Sequence, residues 1–123
     1  MNNQITLDIY TPDKKAIHKI IYGVVLPYGK TNLTIINNRA PTSLLLHQGL
    51  LKILDENKKI IETYFIDGGV VDVANNICKI STFRIINISD INKEKALELR
   101  EQEMHNKDFY QMIVNYFNGY TGL

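Results

Sequence analysis

The residues best suited to chemistry are Gly29, Lys30 and Thr31, because the triplet Gly-Lys-Thr ends the phosphate-binding motif G-x-x-x-x-G-K-[ST]. In that motif, backbone amides and the lysine hold nucleotide phosphates at the start of a helix. Here the upstream glycine is Gly23, one residue too far along the chain, and residues 32–36 have the pattern of a strand. We therefore expect no nucleotide site at Lys30.

The other reactive side chains are dispersed over the sequence. His18, His47 and His105 fall on three different predicted elements, and no His-x-x-x-His or paired-carboxylate spacing joins them into a metal site. Cys78, the one cysteine, lies in an apolar run and is expected to fill space in the core. The sequence therefore predicts no catalytic residue, no metal site and no cofactor, and it favours a binding or structural role.

Composition narrows the class of protein further. The 123 residues are 45% hydrophobic and 22% charged, which predicts one compact soluble body with its own core. A net charge of +1 gives no general attraction to nucleic acid or to an anionic membrane. No apolar run approaches the roughly 20 residues that span a bilayer, and the amino terminus does not resemble a secretory signal. We expect a partner that is recognised by shape.

Two regions differ in their pattern, and we predict a β domain over residues 1–89 and a helical tail over residues 90–123. Ile5, Leu7 and Ile9 alternate with polar residues, as in a strand with one buried face. Further strand-like runs cover residues 17–26, 33–36, 50–54, 60–66, 70–73 and 77–88, with turns at 11–14, 55–58 and 75–76. Many short strands with little room for helices predict a sandwich or a barrel.

The tail contains two predicted helices, the first over residues 90–104. Asp108 and Gln111 resemble a capping box that starts the second, and Gly119 and Gly122 are expected to end it. One face of the second helix is apolar and consists of Phe109, Met112, Ile113, Tyr116 and Phe117. We expect this stripe to pack on the chain's own body or first helix, and the alternative is an exposed partner site.

A spaced pattern over residues 33–73 identifies a family. Its parts are Leu33-x-Ile35, Ala40-Pro41, Gly49-x-x-x-Ile53 and Gly68-Gly69-x-x-x-Val73. The pattern resembles the epsilon subunit of F-type ATP synthases, and the resemblance covers about residues 4–104. It implies a mainly β fold, a two-sheet β-sandwich of about ten strands, followed by a short helical hairpin. Pro41, Gly49, Gly68 and Gly69 would be architectural, since proline interrupts strand pairing and glycines allow sharp bends.

The resemblance also implies a function and its contacts. Members of the family are non-catalytic; they sit at the foot of the central stalk, on the cytoplasmic face of the bacterial inner membrane, and bind no nucleic acid. There they join the gamma subunit to the c-ring and turn with both, so that proton flow drives ATP synthesis. By this resemblance the c-ring would be faced by Lys30, Thr31, Asn32 and Leu33, and gamma would be met by Thr11, Arg39 and Leu44.

Several residues depart from the family pattern. Thr31 and Thr34 replace the usual glycines around Leu33, and Arg39 replaces the usual histidine. Asn32 stands where an acidic residue often faces the ring. We therefore expect the docking contacts of this chain to differ from those of its relatives at these positions.

The tail departs further, because it is shorter than regulatory tails that extend into the alpha/beta head and restrain ATP hydrolysis. Residues 90–108 carry four basic and six acidic side chains, a net charge of −2 that does not favour the acidic surfaces of the head. Lys95 replaces an arginine that nucleotide-sensing members use. We expect weak or absent inhibition and no ATP binding, and the alternative function is a free-standing β-sandwich recognition module that uses the aromatic helix.

Overall fold

The computed structural model describes residues 3–119, and within that range the chain forms eight strands followed by two α-helices. The strands are β1 (Ile5–Thr11), β2 (Lys14–Ile21), β3 (Gly23–Tyr28), β4 (Thr31–Ile36), β5 (Thr42–Leu54), β6 (Ile60–Ala74), β7 (Ile77–Ser81) and β8 (Ile85–Asn87). The helices are α1 (Lys93–Gln102) and α2 (Lys107–Phe117), and short 3₁₀ helices lie at Ile88–Asp90 and Met104–Asn106. None of the helices within residues 3–119 has the length and apolar character needed to cross a membrane.

The long strands β5 and β6 belong to both layers of a sandwich. In the first layer, the first half of β5 pairs with the second half of β6, and β7, β1 and β2 follow in that order. In the second layer, the second half of β5 pairs with the first half of β6, between β3–β4 on one side and β8 on the other. The predicted β-sandwich with two helices after it is confirmed. The described chain has eight strands where about ten were expected, and β5 and β6 each contribute a segment to both layers.

The main core lies between the two layers. The apolar residues of β1 alternate as the sequence pattern requires, and Leu7 and Ile9 are fully buried. Other buried residues of this core come from both layers and include Val24, Leu26, Ile35, Leu51, Ile53, Ile66, Val71 and Ile80. Cys78 belongs to it too, and burial raises the pKa of its thiol to about 12, so the side chain packs as a neutral apolar group.

A glycine pair marks the point where β6 leaves one layer and enters the other. Gly68 and Gly69 have φ of +68° and +130°, values that favour glycine. A Cβ atom on Gly69 would lie 1.9 Å from the carbonyl oxygen of Ser81, which is far inside van der Waals contact. On one side of the pair β6 bonds to β8 and on the other to β7, so the bend directs one strand into two sheets.

The helical tail covers the outer face of the second layer. The side chain of Asn92 caps α1 by accepting a hydrogen bond from the Lys95 N–H at 2.8 Å. Helix α2 buries one face, and a second apolar cluster forms where that face meets Phe65 of β6. The buried members of this cluster are Phe65, Ile91, Ala96, Phe109, Tyr110, Ile113 and Val114.

The structure changes the bounds of several predicted elements. Two predicted runs each divide into two strands, the run 17–26 at Tyr22 and the run 77–88 at residues 82–84. The predicted runs 60–66 and 70–73 join as β6, and the run 50–54 is the end of the longer β5. A long apolar run gives no sequence signal of a turn within it, whereas the glycine pair Gly68-Gly69 bends β6 without ending its pairing with β5. The first helix begins at Lys93 and not at residue 90. The capping box is wrong, because Gln111 bonds to Arg100 and Asn115 instead of capping α2; Gly122 lies outside the described residues.

Candidate docking surfaces

Three connections lie at the corner where β5 and β6 pass between the layers. They are the β1–β2 turn at residues 12–13, the β3–β4 turn at residues 29–30 and the β7–β8 connection at residues 82–84. The register brings them together, because β1 runs parallel to β7 and both strands end beside the glycine bend of β6. The corner therefore brings together loops from both layers.

Hydrogen bonds hold these connections in place. The Thr82 N–H donates to the Tyr10 carbonyl at 2.9 Å, and the Thr82 hydroxyl accepts from the Asp67 N–H at 3.2 Å. The β3–β4 turn is attached to β5, since the Gly29 N–H donates to His47 Nδ1 at 2.9 Å. The loops at the corner are thus fixed by the strands and present a defined surface.

The corner exposes an apolar surface that we call the corner patch, formed by Leu45, Val70 and Phe83. Leu45 pairs with Val70 across β5 and β6, and Phe83 lies in the β7–β8 connection. Their exposed fractions are 70%, 40% and 72%. A shallow hollow of about 340 Å³ lies beside the patch and is lined by Tyr10, Thr11, Pro12, Gly69, Val70, Ser81, Thr82 and Phe83. Exposed apolar residues gathered at one place mark an interaction site.

The three residues that the family resemblance assigned to gamma lie in different environments. Thr11 lines the hollow, and its hydroxyl donates to Asp13 at 3.0 Å. Leu44 packs against the core, because it has the same parity along β5 as the buried Leu46. Arg39 lies before β5 at the opposite end of the layer, where its Nε donates to Thr42 Oγ1 at 3.3 Å. Thr11 and Arg39 are therefore separated by about 13 Å along the strand direction alone.

Three of the four residues assigned to the c-ring lie together on the surface at the β3–β4 turn. Lys30, Thr31 and Asn32 are exposed. Leu33 is half-buried and packs against the main core from β4. This segment therefore offers polar side chains on a short, well-paired hairpin.

The four residues expected to be architectural lie at structural transitions. Pro41 immediately precedes β5. A Cβ atom on Gly49 would lie 2.7 Å from the Cβ of Pro27, so β5 approaches β3 closely there. The glycines at 68 and 69 form the bend described above. All four act on the shape of β5 and β6, the strands that carry the corner patch.

The outer face of the first layer is charged away from the patch. Asp8 on β1 is 7% exposed and pairs with His18 of β2, with Lys15 3.8 Å away. The hydrogen bond from His18 holds the pKa of Asp8 below its ordinary value, against the effect of burial, and Lys15 and Lys79 act in the same direction. The charge of Asp8 is thus balanced by basic side chains on the same half of the face, whereas the corner patch is apolar.

One arginine ties the tail to the sandwich. Arg84, in the β7–β8 connection, donates from Nη1 to the Tyr110 hydroxyl at 2.6 Å and to Glu103 at 3.2 Å. Its Nε is buried without a hydrogen-bond partner among residues 3–119, and its guanidinium lies 5.8 and 5.5 Å from the ring centroids of Phe109 and Tyr110. We call Arg84, Glu103 and Tyr110 the tail clasp.

Glu103 is ionised in this clasp. Burial disfavours its carboxylate, but hydrogen bonds from Arg84 and Asn106 outweigh that cost and hold the pKa of Glu103 below its ordinary value. Burial also raises the pKa of Tyr110, so the phenol stays protonated and donates to Glu103 at 3.2 Å. The clasp is therefore a charge-assisted network between the sandwich and both parts of the tail.

The aromatic stripe of α2 packs on the chain's own body. Phe109 and Ile113 are buried, Met112 and Phe117 are half-buried, and Tyr116 is 38% exposed. The ring of Phe65 lies 5.3 Å from Tyr116 and 6.0 Å from Phe117, both edge-to-face. Most of this stripe is consequently unavailable to an external partner while the tail is packed.

Sequence analysis missed the corner patch and the tail clasp. Leu45 stands in a run of three leucines, so only the parity set by Leu44 and Leu46 could have placed it outside. Phe83 and Arg84 interrupt a strand-like run, and a break in the alternation there was the available signal. Nothing in the local pattern links Arg84 to Glu103 or Tyr110.

Sequence comparison with known proteins indicates a family for this chain. A family model described as the ATP synthase delta/epsilon chain beta-sandwich domain matches residues 4–88. The ATP synthase epsilon chain of Rickettsia bellii is 31% identical over 108 residues, which cover 87% of this chain and 93% of that protein. The family resemblance noted in the sequence is therefore confirmed.

Solved structures share the fold. A chain in the cryo-EM structure of the Euglena gracilis mitochondrial ATP synthase, with OSCP, F1 and the c-ring, superposes with a TM-score of 0.69 at 20% identity. The alignment covers 83% of this chain and 64% of that one. A chain in the central stalk and c-ring of the Tetrahymena thermophila mitochondrial ATP synthase gives 0.58 at 15% identity, over 89% and 96%. With the family match over most of the sandwich, these findings show that the chain belongs to the delta/epsilon chain family of ATP synthases.

Proposed function

We propose that the chain is a non-catalytic epsilon subunit of the central stalk, which joins gamma to the c-ring and couples proton-driven rotation to ATP synthesis. It would lie at the cytoplasmic face of a bacterial inner membrane, attached through the complex. Family membership supports the role, and the similar chains from Euglena and Tetrahymena belong to assemblies that include a c-ring. The corner patch is the observation that carries the proposal.

The corner patch is suited to gamma because it is apolar, exposed and rigidly supported. Leu45 and Val70 lie on the paired strands β5 and β6, and Phe83 is held by the hydrogen bonds of Thr82. Because the backbone that carries this aromatic side chain is already held, less of the loop has to be ordered on binding. Thr11 borders the same hollow, so the gamma surface would run from Thr11 across the patch.

The turn at residues 29–30 would meet the c-ring. Lys30, Thr31 and Asn32 are exposed polar residues, and the bond from Gly29 to His47 fixes their hairpin to β5. The patch and the turn both lie at the corner. Because β5 carries Leu45 and His47 two residues apart, one strand would support both contacts.

Binding to gamma can be tested with purified catalytic subcomplex that contains gamma. Phe83→Ser is expected to weaken binding at least about tenfold, the effect of losing a central aromatic contact. Ile61→Ser is the matched control, because Ile61 is also exposed, at 58%, but lies on the second layer. Equal binding by both variants, measured by surface plasmon resonance, would contradict the assignment of the patch.

Arg39 belongs to the same proposal but tests a different part of it. It lies at the far end of β5 from the patch, and its side chain bonds only weakly within its own loop, at 3.3 Å to Thr42. If gamma extends along β5, Arg39→Ala lowers its affinity in a salt-dependent way. Unchanged assembly at moderate salt would restrict the gamma surface to the corner.

We further propose that residues 1–89 and 90–123 are separate domains and that the tail inhibits hydrolysis weakly or not at all. Phe65 holds the aromatic stripe, and the tail clasp adds charge-assisted bonds, so release of the tail has a cost. The net charge of −2 over residues 90–108 also disfavours acidic surfaces. Direct contact of the tail with the alpha/beta head would require this packing to open, and Lys95, in place of the arginine of nucleotide-sensing members, disfavours ATP binding by the tail.

Hydrolysis by reconstituted enzyme tests this part. We expect the same ATPase rate with the full chain and with a chain that ends at Ser89, provided that both bind gamma equally. Binding to gamma is the control for correct folding of the shorter chain. A severalfold gain in hydrolysis on removal of the tail would contradict weak inhibition and leave the gamma assignment intact.

A further inference from the structure

The tip of the β3–β4 hairpin extends beyond the ladder that joins this hairpin to β5. Pairing between β3 and β5 covers Gly23–Val25 and ends there. Pro27, two residues further on, has no N–H with which to continue the ladder. The tip at Gly29 therefore lies about 13 Å along the strand from the last paired residue. In the described chain, the hydrogen bond that joins this tip to β5 is the one from the Gly29 N–H to His47 Nδ1, at 2.9 Å.

The direction of that bond determines the state of the His47 ring. A backbone N–H can only donate, so Nδ1 must offer a lone pair, and the proton of the neutral ring is on Nε2. A protonated ring carries a hydrogen on both nitrogens and has no acceptor left. Histidine is the side chain that changes charge between pH 5 and pH 8. The bond that holds the tip of the hairpin is consequently one that acidification removes.

The charged and titratable groups around His47 come from the β3–β4 turn and from the β6 bend, which adjoin its part of β5. In the turn, Lys30 is one of the two central residues, and a positive charge on His47 would repel it. In β6, Asp67 pairs with Gln48, and its carboxylate already accepts from the Gln48 side chain at 2.8 Å. Tyr28 flanks the turn, and phenols are uncharged in this pH range. Protonation of His47 therefore removes a bond and adds repulsion from Lys30, while Asp67 is engaged by another partner.

We propose that His47 is a pH-sensitive latch: its neutral ring holds the β3–β4 turn in place, and its protonation releases the turn and weakens the contact with the c-ring. The effect on the c-ring rests on the proposed function, which assigns Lys30, Thr31 and Asn32 to that contact. A released turn has to be ordered again when it binds, and this cost lowers the affinity. The affinity of the chain for the ring should therefore fall as the pH on their side of the membrane falls.

Amide hydrogen exchange of the purified full chain tests the latch without any partner. The protection of the Gly29 amide, corrected for the intrinsic effect of pH on exchange, should fall about fivefold between pH 8 and pH 5, as expected for the loss of one hydrogen bond. His47→Asn should keep the protection at both pH values, because its Oδ1 takes the position of Nδ1 and accepts without titrating. His47→Leu, at an exposed position, should lose the protection at both. Unchanged protection in the unmodified chain, or a pH dependence that persists in His47→Asn, would overturn the proposal.

Binding of the catalytic subcomplex to purified c-ring tests the consequence. With the unmodified chain, binding should be about threefold weaker at pH 6 than at pH 8, beyond any change seen with His47→Asn, which corrects for titration of the other subunits. His105→Asn is the matched control, because that histidine is also exposed but lies in the tail, and it should keep the pH dependence of the unmodified chain. Equal pH dependence of the unmodified chain and His47→Asn would overturn the effect on the c-ring. If His47→Leu and the unmodified chain bind equally at both pH values while the Gly29 protection behaves as expected, the assignment of the turn to the c-ring is wrong and the latch stands.

Discussion

The outer faces of the two layers both carry large apolar residues but differ in what covers them. The second layer presents Phe65, and the chain covers that ring with α2. The first layer presents Leu45, Val70 and Phe83, and the described chain leaves them exposed. The difference teaches that the chain itself covers the aromatic ring of one face, whereas the corner patch of the other face is left for the proposed contact with gamma.

The largest expected effect is on the covered face. Phe65→Ala removes a fully buried ring from the tail cluster and should lower the free energy of unfolding by about 3–5 kcal/mol. Urea denaturation followed by circular dichroism measures this value. A loss below about 1 kcal/mol would mean that the tail contributes little to stability, and the comparison between the faces would fail.

The exposed face should respond in the opposite way. Phe83→Ala, at a side chain that is 72% exposed, should change the free energy of unfolding by less than about 0.5 kcal/mol. The same variant should lose about 2 kcal/mol of affinity for gamma. The paired measurement sharpens the comparison, because Phe65→Ala would show the reverse order of effects; a large loss of stability in Phe83→Ala would instead assign Phe83 to the fold.

Arg84 connects the two regions and should have an intermediate effect. Arg84→Gln removes the bonds to Glu103 and Tyr110 and should lower the free energy of unfolding by about 1.5 kcal/mol. Lys14→Gln is the matched control, since it also removes one positive charge but at an exposed position at the start of β2. Near-ultraviolet circular dichroism of the tyrosines should show whether the tail loosens in Arg84→Gln alone.

The smallest expected change in tail packing is that produced by acid, through the tail clasp. The pKa of Glu103 is lowered in the folded chain, so its contribution is present above the ordinary value of 4.5 and is lost as the pH falls through the folded value. Tail packing should therefore weaken below about pH 4.5, and Glu103→Gln should reduce that dependence. Equal acid sensitivity of the two chains, measured by tyrosine circular dichroism, would show that Glu103 does not hold the tail.

The class of fold was predictable because alternation in β1 and the apolar stripe of α2 are local patterns. Residues 33–73 added the family, since glycines and proline fix the shape of β5 and β6. The docking surfaces were harder to predict from the sequence. Thr11 and Arg39 were assigned to one interface, yet the parallel pairing of β1 with β7 places them at opposite ends of a layer, and pairing between distant segments leaves no periodic signal.

Arg84 shows the same limit at the level of one side chain. A lone arginine between two strand-like runs has the pattern of a solvent-exposed loop residue. Its partners Glu103 and Tyr110 come from the tail, and only the docking of α2 brings them within 3.2 Å. Local rules therefore find elements, whereas contacts between elements depend on the packed whole.

The continuity of β5 and β6 through both layers has a mechanical consequence. A sandwich whose sheets touch only through side chains resists sliding by packing alone. Here two strands, hydrogen-bonded to each other along nearly their full length, cross from one sheet to the other, β6 at Gly68 and Gly69 and β5 beside them. A load applied to either sheet is carried in shear by the backbone itself, which makes the body stiff against twisting, as the proposed coupling to a rotating shaft would require.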